Sequence, residues 1–243
     1  MEAKSVYAVI FAGGVGSRMS GAKIPKQFLK QGGRTIISHT LSHFQSHPMV
    51  NGIVVACVEE WIPFMQAEVD ANQFDKVLSI VAGGESGQDS IFNGLKELEA
   101  AIKPLDDDIV LVHDGVRPLV DKDTISACID SVKNYGSTAT VSASTETVIY
   151  EKAGKVVDVL DRSVCRFARA PQGFKFREFY ATHLKAQKDG RHDYIDSISL
   201  MDNYGYEIHT ITGPEENIKI TTPRDYFTFK AYMDMDEIRQ IWE

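Results

Sequence analysis

Apolar positions along this chain fall into two alternating kinds of segment. Short, nearly continuous runs at residues 6–11, 52–58, 76–81 and 109–113 are rich in Val and Ile and too short for helices, so they predict strands buried on both faces. Between them the spacing changes. Ile91, Leu95, Leu98 and Ile102 recur at steps of four, three and four, and Ile125, Cys128, Ile129 and Val132 do much the same, so each set predicts one apolar stripe of a sheet-covering helix. Strands alternating with helices predict an α/β fold of Rossmann-like architecture, with a mostly parallel sheet carrying helices on both faces.

Residues 147–161 break this rhythm and read as two strands about a turn at 152–155, a projecting β-hairpin. A two-stranded ribbon is marginal alone and needs a surface to pack on. The expected organisation is a single domain over 1–243 with this arm at about 142–164. Thr222 followed by Pro223 predicts a helix N-cap and first turn, with the helix running through Tyr226 to about residue 238.

Composition narrows the class. The chain has 243 residues, 43% of them hydrophobic, enough for a substantial core. A net charge of −8 argues against a nucleic-acid-binding surface. No run approaches the roughly 18 apolar residues of a membrane span, and no basic-then-apolar leader opens the chain, so a cytoplasmic protein without membrane association is expected. Cys57, Cys128 and Cys165 are too few and too scattered for a disulfide framework or a zinc pair.

The first strand runs into Ala12, Gly13, Gly14 and Gly16, with Arg18 and Lys26 just beyond. Glycines there allow backbone N–H groups to converge on phosphate oxygens, and the two cations would add fixed positive charge. The order is Gly-Gly-x-Gly-x-Arg. It lacks the third glycine of a dinucleotide fingerprint and the Gly-Lys-Ser/Thr of a P-loop, which favours another kind of nucleotide-phosphate loop over a plain strand turn. Asp114 should emerge at the carboxyl end of a central strand, where open α/β sheets place ligands and where a carboxylate can hold a divalent cation or simply cap a turn. Arg117 reads equally as a surface ion pair. Lys219, between Ile218 and Ile220, would point away from the core if the segment alternates as a strand. His39, His43 and His47 sit four apart, a spacing that could gather imidazoles on one helix face or lie on a solvated one. Ser90 could be an ordinary helix cap.

The combination of the glycine turn with His-Asp-Gly-Val-Arg-Pro at 113–118, Asp161-Arg162, Ala170-Pro171-Gln172 and Asn-Ile-Lys-Ile-Thr-Thr-Pro at 217–223 resembles the cytidylyltransferase family of methylerythritol-phosphate and ribitol-phosphate enzymes. The motifs occur in the family order and span nearly the whole chain. The resemblance implies a nucleotide-diphospho-sugar transferase type of fold and transfer of CMP from CTP to a polyol phosphate, with Mg2+ as cofactor. It implies that Arg18, Lys26 and Lys219 contact the triphosphate as catalytic cations. Ala12, Gly13, Gly14, Gly16, Gly83, Glu85, Ser90 and Asp114 would bind CTP, with Asp114 at the metal. Arg117, Arg162 and Asp196 would bind the polyol phosphate. The arm would make a homodimer and carry Arg162 toward the neighbouring subunit's active site.

Three positions depart from the family pattern: Gly87 where an arginine is usual, Ala170 where a threonine precedes Pro-Gln, and Ile195-Asp196-Ser197 in place of Thr-Asp-Glu. The last two remove hydroxyls near the acceptor. Ala-Gly-Gly at 12–14 and Gly115-Val116 look more like the ribitol-phosphate members, so D-ribitol 5-phosphate is the expected acceptor, ahead of methylerythritol 4-phosphate and polyols such as arabinitol phosphate. Outside this class stand a Rossmann oxidoreductase, for which Glu59 after Val58 would hold a ribose, and a non-catalytic CTP-binding protein on the same fold.

Overall fold

A computed structural model describes residues 4–13 and 24–242, without the side chains of 236–242. Gly14, Gly16 and Arg18 therefore lie outside the described residues. The strands in chain order are β1 (Val6–Ala12), β2 (Lys30–Gln31), β3 (Arg34–Thr35), β4 (Gly52–Cys57), β5 (Val77–Ala82), β6 (Ile109–Asp114), β7 (Ser137–Ala143), β8 (Val148–Lys152), β9 (Lys155–Leu160), β10 (Arg166–Lys175) and β11 (His209–Thr212). The helices are α1 (Ile36–Ser46), α2 (Ile62–Ala71), α3 (Gly87–Ala101), α4 (Lys122–Tyr135), α5 (Phe176–Lys188), α6 (Ser197–Asn203) and α7 (Pro223–Trp242).

Seven strands form one sheet in the order β11-β7-β10-β6-β1-β4-β5. Only β10 runs against its neighbours, pairing antiparallel with β6 and β7, while the other pairs are parallel. Parallel strands buried on both faces need apolar residues at every position, which is why β1, β4 and β6 read as unbroken runs. Alternation divides β1 between two cores. Val6, Ala8 and Ile10 pack with Ile37, Leu41 and Phe44 of α1 and with the Ile125, Cys128, Ile129 and Val132 stripe of α4. Tyr7 and Val9 face the other way, onto Ile91, Leu95 and Leu98 of α3, Phe176 and Phe179 of α5, and Leu200 of α6. Helices therefore cover both faces, as the periodicity predicts.

Several details differ from the sequence reading. Helix α3 ends at Ala101, and Ile102 is its half-exposed C-cap rather than the last member of the stripe. Helix α7 continues to Trp242. His47 caps α1 instead of extending it. Strand β7 has too few large apolar residues to stand out, yet Thr138, Thr140 and Ser142 are fully buried in it.

The hairpin forms as expected. β8 and β9 pair as a separate ribbon, with Lys152 opposite Lys155, and the two-residue turn places Ala153 and Gly154 at φ +52° and +75°, the left-handed pair of a type I′ connection. Val156, Val157 and Val159 are more than half exposed along it. Among the described residues no helix is long and apolar enough to cross a membrane.

Helix α4 lies close on β10 because position 173 has no side chain. A Cβ there would sit 2.7 Å from Val132 Cγ2 and 2.9 Å from Cys128 Sγ. Gly173→Ala is expected to lower the unfolding free energy by about 1–3 kcal/mol, read as a lower urea midpoint at unchanged m-value; an unchanged midpoint would show that α4 can retreat without cost.

Candidate active site

The carboxyl ends of β1 and β6 open onto a cavity of about 350 Å³, walled by the start of α3, by α5, by the 194–200 segment leading into α6, and by residues 168–172 of β10. That volume suits a small ligand. At its charged end stands Asp114, the last residue of β6 and nearly buried. Lys219 Nζ lies 2.6 Å from Asp114 Oδ1, and Arg117 Nε donates to Oδ2 at 2.8 Å. Arg117 Nη1 donates to the Asn217 carbonyl at 2.8 Å, and Asn217 Nδ2 donates to the Ala170 carbonyl at 2.6 Å. His113 adds a bond from Nε2 to the Arg117 carbonyl at 3.1 Å. Three motifs separated by up to a hundred residues thus meet in one buried network.

Burial by itself would raise the Asp114 pKa, but the charges of Arg117 and Lys219 and their hydrogen bonds outweigh it and hold the group at about 2. The carboxylate is ionised at any physiological pH. Arg117 is buried, not the surface pair that its sequence setting allowed. Lys219 does not sit in a regular strand; it precedes α7, with Ile220 anchored by its N–H to the Val116 carbonyl, and its side chain still reaches the cavity, 5.9 Å from the Phe11 ring centre.

On the other side of the α3 start, Gly13, Gly83 and Ser90 meet. A Cβ at Gly13 would lie 2.7 Å from Ser90 Oγ, and one at Gly83 would lie 3.3 Å from the Gly13 Cα, so the two backbones approach as only glycines permit. Ser90 is not the helix cap. Ser86 is, in a capping box with Asp89, whereas Ser90 Oγ donates to the Ser86 carbonyl and accepts from Gly84 N–H at 3.0 Å. Glu85 is exposed on the same loop. Lys26 opens a short 3-10 turn, Lys26–Phe28, and Gln27 Nε2 ties that turn to the Ala12 carbonyl at 2.8 Å. Lys26 is thereby held at the carboxyl end of β1.

Asp196 lines the cavity and caps α6 through a bond from Ser199 N–H. Arg162 is not brought to this cavity by its own chain. It lies exposed beyond β9, donating to the Thr145 carbonyl. The three histidines have separate tasks: His39 donates to the Gln31 carbonyl, His43 to the Pro118 carbonyl, and His47 bonds to Ser126 Oγ. Among the described residues no cluster of three or more His, Cys, Asp or Glu could hold a metal.

Two cavity residues escaped the sequence reading. Arg169 bonds through Nε to Ser142 Oγ and has burial and the Arg117 charge working against its own, so an arriving anion would relieve it. A register shift in β10 between Ala168 and Gln172 sets this stretch of the strand against the cavity, and no motif announces such a bulge. His183 belongs to the apolar stripe of α5, where a histidine carries no signal of its own. Gly115 has a packing explanation: a Cβ there would press on Ala12 Cβ at 3.0 Å and Ile37 Cδ1 at 3.2 Å.

The sequence signature of the 2-C-methyl-D-erythritol 4-phosphate cytidylyltransferase (IspD) family matches residues 6–235. The chain is 43% identical to a ribitol-5-phosphate cytidylyltransferase of Vibrio parahaemolyticus over 97% of this chain and 98% of that one. It is 37% identical to a 2-C-methyl-D-erythritol 4-phosphate cytidylyltransferase of Syntrophotalea carbinolica, over 95% and 97% respectively. The fold superposes on the crystal structure of 4-diphosphocytidyl-2C-methyl-D-erythritol synthase from Anaerococcus prevotii with a TM-score of 0.82, at 24% identity over 95% of this chain and 96% of that one.

The Asp114 pairs have a definite pH signature. The folded pKa of about 2 lies below the unfolded value of about 3.9, so their contribution is complete above roughly pH 4 and is lost as pH falls toward 2. Urea midpoints of the parent should fall over that interval more steeply than those of Asp114→Asn; parallel curves would assign the acid sensitivity to other carboxylates.

Proposed function

This chain belongs to the IspD family of cytidylyltransferases, and we propose that it transfers CMP from CTP to D-ribitol 5-phosphate, giving CDP-ribitol and pyrophosphate. The observation that carries the acceptor choice is the higher identity to the ribitol-phosphate enzyme over nearly the full length of both chains. Methylerythritol 4-phosphate is the second reading, favoured by the family description and by the relative at 37%.

In this reading an ionised oxygen of the polyol phosphate attacks the α-phosphorus of CTP, and the bond to the bridging oxygen of pyrophosphate breaks. A phosphate dianion is already nucleophilic, so no serine or cysteine has to be activated. The barrier is electrostatic, since two anions must meet and negative charge grows on the bridging oxygen. Lys219, Lys26 and Arg18 supply fixed positive charge. Arg117 fixes the Asp114 carboxylate, and Asp114 in turn aims Lys219 into the cavity. The cytidine end would lie against the Gly13, Gly83 and Ser90 contact with Glu85 at its rim. The acceptor phosphate would lie against Arg117 and Arg169, with Asp196 near the polyol.

Mg2+ fits this donor set. Asp114 is ionised and each of its oxygens retains a lone pair beyond the cation it accepts, so one oxygen could join phosphate oxygens and water around a hard cation. Bound there, the ion would neutralise triphosphate charge. Arg162 would serve the site of a second copy, which the exposed valines of the arm favour by offering a surface for association.

Pyrophosphate release with CTP and Mg2+ is expected with D-ribitol 5-phosphate, and release with methylerythritol 4-phosphate alone would reverse the acceptor choice. Lys219→Ala should lower turnover by about 10²- to 10³-fold with an unchanged circular dichroism spectrum; near-normal turnover would remove Lys219 from the chemistry. Arg162→Ala and Lys219→Ala proteins, each impaired alone, should recover activity when mixed and allowed to exchange subunits. No recovery would mean that the arm does not act across a dimer.

A further inference from the structure

One wall of the cavity is built on a segment without regular structure. Residues 189–196 join α5 to α6, and within them Tyr194, Ile195 and Asp196 line the cavity. Burial does little to hold the segment, since Arg191, His192, Asp193 and Ile195 are exposed, Ile195 at 97%. Its two ends are tied to the helices they adjoin. Arg191 N–H donates to the Ala186 carbonyl at 2.9 Å, and Asp196 caps α6 in a reciprocal box with Ser199. Between those ends the backbone finds its anchor on α3.

That anchor is Gln88, the second residue of α3, buried and itself part of the cavity wall. Its Nε2 donates to the Arg191 carbonyl at 2.9 Å, and its Oε1 accepts from Tyr194 N–H at 3.2 Å. A carboxamide carries a donor and an acceptor on one planar group, so it serves both at once. The pairing has a consequence for backbone shape. The carbonyl of residue i and the N–H of residue i+3 are the two groups that a closed β-turn joins directly. At 191–194 Gln88 bonds to both and keeps the turn open. His192 adds a longer link from a half-exposed imidazole, Nδ1 to Oδ1 of Asp89 at 3.3 Å, to the next residue of α3.

We propose that Gln88 is a positioning residue for the acceptor, holding Tyr194, Ile195 and Asp196 where the carbon chain of a phosphorylated polyol lies. The phosphate is drawn to Lys219, Arg117 and Arg169, and the chain then runs along the wall that this segment supplies. Asp196 is the group there suited to alcohols. Its Oδ1 is used for the helix cap, which leaves Oδ2 to accept from a hydroxyl. Without the carboxamide, the Arg191 carbonyl and Tyr194 N–H lose their partners and can pair with each other, and the closing turn draws the wall away from α3. A displacement of about an ångström in such a wall is enough to misplace a reactant and slow its reaction. Gln88 touches no substrate in this account and acts through the segment that does.

The inference rests on the polyol-phosphate reading above, and its test separates the two. Gln88→Met keeps the length of the side chain and removes both polar atoms. In that variant the KM for D-ribitol 5-phosphate should rise about tenfold, while the KM for CTP stays within roughly twofold. Inorganic phosphate, which presents the anion without the carbon chain, should inhibit against the acceptor equally well in parent and variant. Amide hydrogen exchange should quicken at residues 191–196 and stay as in the parent across the central sheet. Gln88→Glu keeps an acceptor for Tyr194 N–H and loses the donor to the Arg191 carbonyl. It should show the same acceptor-selective rise, and it serves as the test if the methionine variant does not fold. An unchanged acceptor KM in the folded variants, equal rises for CTP and acceptor, or a weakening of phosphate inhibition that matches the rise in acceptor KM would overturn the role of Gln88 and leave the transferase reading standing. If the parent accepts only methylerythritol 4-phosphate, the ribitol reading fails, and the same comparison made with that acceptor decides the role of Gln88. Silence of the parent with every polyol phosphate overturns both.

Discussion

A buried carboxylate between two cations organises this protein. Asp114 at the end of β6 would be costly to bury alone, and Lys219 and Arg117 make its burial tolerable by occupying one oxygen each. Removing a member of such a set is far worse than never having built it, so the three side chains hold one another in register. The pairing also fixes backbone. Arg117 reaches the Asn217 carbonyl, and Asn217 reaches Ala170, so the loop before α7, the turn after β6 and the bulged stretch of β10 form a single frame around the cavity. The network is therefore structural and chemical at once. The bonds that stabilise the frame also leave a lysine ammonium facing the space where phosphate charge would develop.

The cavity is asymmetric, and the asymmetry suits a substrate that is an anion at one end and an alcohol chain along the rest. Cations gather near the strand ends. The walls from α3 and α6 mix the apolar Ile91 and Leu200 with the polar Gln88 and Ser197. The start of α3 separates this space from the glycine-lined approach of Gly13 to Gly83, where close backbone contact replaces side chains. In the proposed reading, a nucleotide and a phosphorylated acceptor would meet two sides of one helix start. The Ser86–Asp89 capping box fixes that helix start in place.

Much of the frame was legible in the order of residues. Continuous apolar runs give buried parallel strands because a strand covered on both faces has no polar side to show, and this locates β1, β4, β5 and β6. The hairpin was legible for the opposite reason, as alternation about a two-residue turn whose Ala153-Gly154 pair adopts the left-handed conformation such turns need. Strands β7 and β10 were not legible. Their burial depends on small polar residues such as Thr140, whose hydroxyl donates to the Pro171 carbonyl 31 residues away. Of the proposed site, Asp114 could be placed from its position after an apolar run, and Lys26 and Lys219 from their motifs.

What the sequence determined by itself is the set of local periodicities and the ordered motifs, because strand and helix patterns and turn chemistry depend on residues within a few positions of one another. What only the tertiary structure decided is which of those residues share a charge. Arg117 passed for a surface ion pair and Lys219 for a strand residue, yet both close on Asp114. Arg169 and His183 had no motif at all, and face the cavity because a bulge in β10 and the packing of α5 put them there. Coulomb and hydrogen-bond partnerships act through space across about a hundred residues of chain, and a linear pattern carries no record of them until the sheet has brought its ends together.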